Sequence, residues 1–379
     1  MMKGIEKFLL EMEKQPTYPW ENLASVLSKH HHKPDLEAVR AVYAACAAHR
    51  LNGSPVWTMN VAPPGSMKTE LIEALDGLPG VHLIDQITAN TFISGQIDDP
   101  KNPRKQPASL LHRIGSNGIL IYPDFSTILG MKRDHKASIL ADMRRIYDGK
   151  LRKEYGYADS PKERIWEGRI TFLVAATPDV DRHYGIFQTL GERFLMVRSS
   201  RPGGIEAALK AMNQDGKKVK EELRDAAHSL FNGLQQFEPV LSPEYQLKIA
   251  ALTEVTVRGR THTPRNGYTK DIIYVPEPEA ATRLAQQLAQ LAKGSALLEG
   301  RKEVSESDFQ LVKRVAFDCI PASKRKILEA GIAREDLDEV NLPESTRTYA
   351  IEDLQSQQLI NEGKLSDLAC SLLWDAGVI

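Results

Sequence analysis

Apolar residues follow two patterns along this chain: helical spacing at both ends and continuous runs in between. In residues 1–50, Ile5, Phe8, Leu9 and Met12 recur at helical spacing, and DLEAVRAVYAACAAHR extends the pattern with alanine-rich sequence. KHHHKP separates the two stretches. Three adjacent histidines cannot share one helical face, so it is read as a linker, with metal binding as the alternative. From residue 51 come apolar runs bounded by Gly and Pro: PVWTMNV, VHLI, GILIY, RITFLVAA and RFLMVR, with helical or loop sequence between them. Such runs predict a parallel sheet covered on both faces. After Pro202-Gly203-Gly204 the spacing is helical again, through KEELRDAAHSLFNGLQQF, YQLKIAALTEV and EAATRLAQQLAQLAKGSALLE, interrupted by the basic break RGRTHTPRNGYTK. Ser305 and Asp308 form a capping pair for the helix that closes this region. The pattern predicts four units: a helical segment over 1–50, a five-stranded α/β core over 51–204, a helical lid over 205–320 and a small helical unit over 321–379.

The length of 379 residues agrees with two or three domains at roughly 150 residues each. Apolar residues make up 42% and charged residues 26%, and the formal net charge is −1, which excludes a disordered chain or a wholly basic DNA coat. Cys46, Cys319 and Cys370 stand far apart, without a CxxC pair, and predict neither a disulfide framework nor a zinc site. The opening MMKGIEKFLLEMEKQP is amphipathic rather than a signal peptide, and no apolar run approaches the roughly 20 residues that span a bilayer. A soluble, cytoplasmic protein with no membrane partner is expected.

The chemistry concentrates in VAPPGSMKTEL, directly after the first strand. Set against GxxxxGK[ST], the eight positions are Ala62, Pro63, Pro64, Gly65, Ser66, Met67, Lys68 and Thr69. Backbone N–H groups of the loop would cradle phosphate oxygens at a helix start, Lys68 would meet the β- and γ-phosphates, and Thr69 would hold Mg²⁺. Ala62 and Met67 replace two motif glycines, and the second replacement matters because that position needs close backbone approach. GILIYPDFST then ends an apolar strand at Asp124, where a water-mediated Mg²⁺ carboxylate is expected. Pro123 is irregular for a central strand.

With these elements placed, residues 50–320 resemble the AAA+ ATPase family. In that family a glutamate usually follows the Walker B aspartate and activates water; here Phe125 stands there, which implies slow hydrolysis or a base from elsewhere. The resemblance implies a sensor 1 role for Thr177 in LVAATPDVD and an arginine finger at Arg193 in GERF, with Arg198 and Arg201 as competitors. It also implies a sensor 2 role for Arg283 on the lid helix. It further implies ATP and Mg²⁺ as ligands and assembly with copies of the same chain, in a hexameric ring or a filament.

IYDGKLRKEYGYADSPKERIWEG reads as two short strands around a polar turn containing Ser160-Pro161. A hairpin at this point is similar to the pre-sensor 1 insertion of MCM-type helicases, the Holliday-junction motor RuvB and bacterial enhancer-binding proteins, although the GAFTGA loop of the last group is absent. By that resemblance Lys150, Arg152, Lys153, Lys162 and Arg164 are DNA-contact candidates, Lys162 foremost; the alternative is a hairpin that only braces a subunit interface. The wording PPGSMKTEL, RIGSNGILIYPDFSTIL and DRHYGIFQTLGERF also resembles AAA+ proteins of bacteriophages and mobile elements.

In the tail, NLPESTRTYAIEDLQSQQLI resembles a winged-helix recognition helix, with Ser345, Thr346, Arg347 and Tyr349 on the DNA side. Its charge argues for protein contact instead: residues 321–379 hold six bases and eleven acids. Residues 101–145 hold nine bases and three acids, so the near-zero net charge is a cancellation between core and tail. Two functions are expected from this reading. One is an ATPase acting on DNA as a helicase, translocase or loader; the other is a nucleotide-gated switch or scaffold with slow turnover that recruits a protein partner. A transcription regulator using the tail helix is a third.

Overall fold

The computed structural model describes residues 19–94, 109–155, 162–183, 193–200 and 203–379. Helices α1 (Pro19–His30) and α2 (Leu36–Ala48) lead into β1 (Trp57–Val61), the short α3 (Lys68–Glu73) and β2 (Val81–Leu83). Then follow α4 (Leu110–Ile114), β3 (Asn117–Tyr122), α5 (Ser126–Leu129), α6 (Arg133–Tyr147), the hairpin β4 (Lys150–Tyr155) and β5 (Lys162–Glu167), β6 (Arg169–Ala176) and β7 (Phe194–Arg198). The remainder is helical: α7 (Gly204–Met212), α8 (Gly216–Asn232), α9 (Pro243–Arg260), α10 (Thr282–Leu298) and α11 (Glu306–Asp318), then α12 (Ala322–Ala333) and α13 (Glu344–Ser356). The two-residue strands β8 (Ile360–Asn361) and β9 (Lys364–Leu365) and helix α14 (Asp367–Asp375) end the chain. Ile5, Phe8, Leu9 and Met12, the hairpin turn at Ser160-Pro161, and Arg201 lie outside the described residues.

Five strands form one all-parallel sheet in the order β2-β3-β6-β1-β7, the α/β core the apolar runs predict. Every residue of β1 is buried, as helices on both faces require. Trp57 anchors its first position: the indole N–H donates to the Ile170 carbonyl at 2.7 Å, and the ring packs on Phe172, Phe194 and Tyr147. Pro123 is no exception to the strand rules, because β3 ends at Tyr122. Since all five strands run the same way, the loops after Val61, Tyr122, Ala176 and Arg198 emerge on one edge of the sheet.

Helix α2 belongs to this core rather than to a separate leading segment. Ten of its residues are buried, and Gly294 of α10 packs so closely that an added Cβ would stand 2.1 Å from the Ala44 carbonyl oxygen. The alanines of α2 therefore serve a close helix–helix approach. The tail is also packed down: the Lys324 ammonium donates to the Thr261 carbonyl at 2.5 Å, and one buried hydrophobic cluster runs from Leu23 to Ala376. No helix among the described residues is long and apolar enough to cross a membrane.

Candidate nucleotide site

The sheet edge collects the first group of chemically expected residues. The Ala62 N–H still bonds the Ala176 carbonyl at 3.2 Å, extending the ladder by one residue before Pro63 and Pro64 stop it. The loop then turns through two left-handed positions, Gly65 at φ +74 and Met67 at φ +63. The Ser66 hydroxyl donates to the Pro63 carbonyl, and the Lys68 ammonium donates to the same oxygen at 3.3 Å. Burial pushes the Lys68 pKa down, and the negative charge of Asp124 works against that shift, so the two side chains are electrostatic neighbours. Thr69 follows on the first turn of α3.

Asp124 lies two residues past β3, exposed, and its carboxylate accepts the Ser126 N–H at 3.0 Å. Thr177 comes directly after β6, half-buried. Because β1, β6 and β3 are adjacent, Lys68, Thr69, Asp124 and Thr177 occupy one contiguous stretch of the edge. Phe125 does not: it is 0% exposed, packs against Phe194, and its N–H bonds the Ala175 carbonyl at 2.8 Å.

Met67 holds a backbone conformation that costs a residue with a Cβ about 1 kcal/mol. Substituting Gly and Ala separates this from packing, since both remove the thioether. Met67→Gly is expected to be about 1 kcal/mol more stable than Met67→Ala in urea unfolding. That is the reverse of their order inside a helix. Equal stabilities would mean the loop is not held left-handed.

Beside the loop lies a cavity of about 1130 Å³. Pro64, Gly65, Ser66 and Met67 form one wall, residues 30–35 the opposite side, and α7 and the start of α8 the rest. The segment read as a linker is thus a wall of the cavity. Its contacts come from residues far away in the chain, and nothing in KHHHKP itself announces them. The histidines diverge: His30 pairs with Glu222 at 2.7 Å and His32 with Glu206 at 3.2 Å. Burial, with His30 and Lys210 adding to it, pushes His31 down to about 4. Among the described residues no group of three or more His, Cys, Asp or Glu could hold a metal ion.

The two assigned arginines lie elsewhere. Arg193 immediately precedes β7, whose first residue pairs with Trp57 at the start of β1, so it sits on the opposite edge of the sheet. A five-residue strand separates the two edges by roughly 15 Å. Arg193 is 6% exposed; it bonds the Asp148 carboxylate at 2.9 and 3.1 Å, and its guanidinium lies 5.4 Å from the Tyr147 ring centre. Arg283 approaches the same ring at 6.0 Å. Its helix is fixed to this edge by Gln287, which donates to the Arg193 carbonyl at 2.6 Å, and by Gln286, which accepts from Ser54 at 3.1 Å. Arg283 is therefore not brought to the phosphate loop of its own chain, and Arg193 is folded back into its own subunit. Arg198 does reach the loop edge, but Asp181 holds it through two bonds of 2.9 and 2.6 Å and the Asp318 carbonyl through a third of 2.7 Å.

The hairpin β4–β5 has the expected strands, but three of its cations, Lys150, Arg152 and Lys153, are engaged. Lys150 pairs with Glu167 at 2.5 Å, Arg152 with Glu163 at 2.8 Å, and Lys153 turns inward to Asp142 at 2.5 Å. Arg164 stands opposite Lys153 in the register, and Lys162 opens β5 opposite Tyr155. In the tail, Ser345 is exposed and Thr346 and Arg347 half-buried. The Tyr349 ring is covered by Arg265, whose guanidinium lies 4.6 Å from its centre and pairs with Glu352 and Asp353 at 2.6 Å each. The DNA side assigned to α13 is thus partly occupied by the basic break. The hairpin β8–β9 follows α13.

No protein-family model matches the chain, and no curated protein matches it in sequence. What the fold defines is an α/β protein with a five-stranded, all-parallel, Rossmann-like core and a helical remainder.

Proposed function

We propose that this chain is an ATP- and Mg²⁺-binding protein of the AAA+ type that assembles with copies of itself, with nucleotide binding rather than rapid turnover as its working event. The observation that carries the reading is the convergence of Lys68, Thr69, Asp124 and Thr177 on one sheet edge, next to a cavity of about 1130 Å³. Ligands of open α/β sheets bind outside the carboxyl ends of the strands. Lys68 would exchange the Pro63 carbonyl for β- and γ-phosphate oxygens, replacing an uncharged acceptor by charged ones. Thr69 and, through water, Asp124 would hold Mg²⁺, which offsets phosphate charge. Thr177 would face the γ-phosphate.

Slow turnover follows from Phe125, which takes into the core the position where an activating acid would stand. Partner recruitment falls to the acid-rich tail, a winged-helix-like unit by sequence. A second reading, a helicase, translocase or loader acting on DNA, is favoured by Arg113, Lys132, Arg133 and Arg145, all exposed cations of the core. Measuring ATP turnover and oligomeric state with and without single- and double-stranded DNA separates the two. The switch predicts ATP-dependent assembly with little hydrolysis and no DNA effect; DNA-stimulated hydrolysis would replace it with the motor.

A further inference from the structure

Helix α7 forms a wall of the cavity, yet none of its nine residues is buried. Ala207, Ala208 and Ala211 line the cavity, while Ile205 and Met212 are 79% and 73% exposed. So short a helix does not persist by propensity alone, and this one gains little from burial. Polar contacts to one short strap hold it. The Lys210 ammonium donates to the carbonyls of Ser28 at 2.8 Å and His31 at 3.0 Å; Gln214 just beyond the helix donates to the His30 carbonyl at 2.7 Å. Glu206 faces His32 at 3.2 Å. These carbonyls end α1, where backbone acceptors lack intrahelical donors and the helix dipole favours a cation. The same strap forms the facing wall of the cavity. At the other end of α7, Gly204 is left-handed at φ +94, a conformation suited to a hinge.

We propose that α7 is a latch over the nucleotide cavity and Lys210 its positioning residue: while Lys210 holds the Ser28 and His31 carbonyls, the alanine face closes the cavity, and bound nucleotide leaves when that contact breaks. The inference rests on the reading of the cavity as a nucleotide site. It assigns nucleotide release to a contact that touches no phosphate.

The full-length chain, K210M and K210R test it by hydrogen exchange without nucleotide and by the release rate of a fluorescent ATP analogue. K210M keeps most of the length of the side chain and removes the donors. Exchange at residues 204–212 is expected to rise at least tenfold in K210M, and analogue release to accelerate about tenfold with little change in its association rate. K210R, which retains the charge and the donors, should restore both. Unchanged exchange in K210M overturns the latch. So does raised exchange with unchanged release, which would leave Lys210 as a cap of α1 alone. Failure of the unaltered chain to bind the analogue would instead sink the nucleotide reading, and the latch with it; tight binding with unchanged release sinks the latch only.

Discussion

Lys68→Ala is expected to weaken ATP binding by at least 100-fold and to abolish ATP-dependent assembly while leaving the fold intact. The ammonium is half-buried and donates to the Pro63 carbonyl at 3.3 Å. Burial already lowers its pKa, so its charge lacks full solvation before any phosphate arrives. Two hydrogen bonds to phosphate oxygens, at about 1.5–3 kcal/mol each, correspond to a loss of at least a hundredfold in affinity. Removing one long bond to a loop carbonyl should cost at most about 1 kcal/mol of stability. Calorimetric titration with ATP, light scattering with and without ATP, and a thermal melt read the three quantities together. Undiminished binding in a folded Lys68→Ala protein would remove the loop from the site.

Restoring an acid after Asp124 is expected to unfold the protein rather than activate it. Phe125→Glu removes a ring that is 0% exposed and packs against Phe194, and it leaves a carboxyl in that space. Truncating a buried Phe costs about 3–5 kcal/mol, and a buried carboxylate adds a further penalty or is protonated. Against a typical total of about 5–15 kcal/mol, that is enough to empty the native state or nearly so. Phe125→Leu should remain folded. Urea unfolding and turnover measurements on both variants check this: a stable Phe125→Glu protein with faster hydrolysis would show that position 125 can reach the edge after all.

The strands were legible because a parallel sheet buried on both faces has to be written as continuous apolar runs, and RITFLVAA and PVWTMNV are such runs. The edge positions of Asp124 and Thr177 were legible for the same reason, since both are polar residues close behind the end of an apolar run. Where the arginines lie was not legible from the order of motifs along the chain, which does not say which end of a strand each one marks. Arg193 begins the run RFLMVR, so the direction of the sheet alone sends it away from the loop that follows Val61. The packing of α2 had a signal in Gly294, a glycine inside an otherwise strong helical pattern, but its partner could not be read locally. The strap at residues 28–32 had no local signal, because its contacts come from Glu206, Lys210 and Gln214, nearly half the chain away.

A parallel sheet has two unlike edges, and this chain divides its charged chemistry between them: Lys68 and Asp124 on one, the Arg193–Asp148–Tyr147–Arg283 cluster on the other. A two-fold axis that packs like edge on like edge would not bring the cluster of one copy to the phosphate loop of the next, whereas an antiparallel pair lying side by side would match both. Head-to-tail stacking matches them as well, and head-to-tail contacts are open-ended unless rotation closes them. The direction of five strands thus bears on symmetry: if the arginines serve another copy, the two copies meet opposite edge to opposite edge, as a polar head-to-tail stack or as an antiparallel pair, and never like edge on like edge.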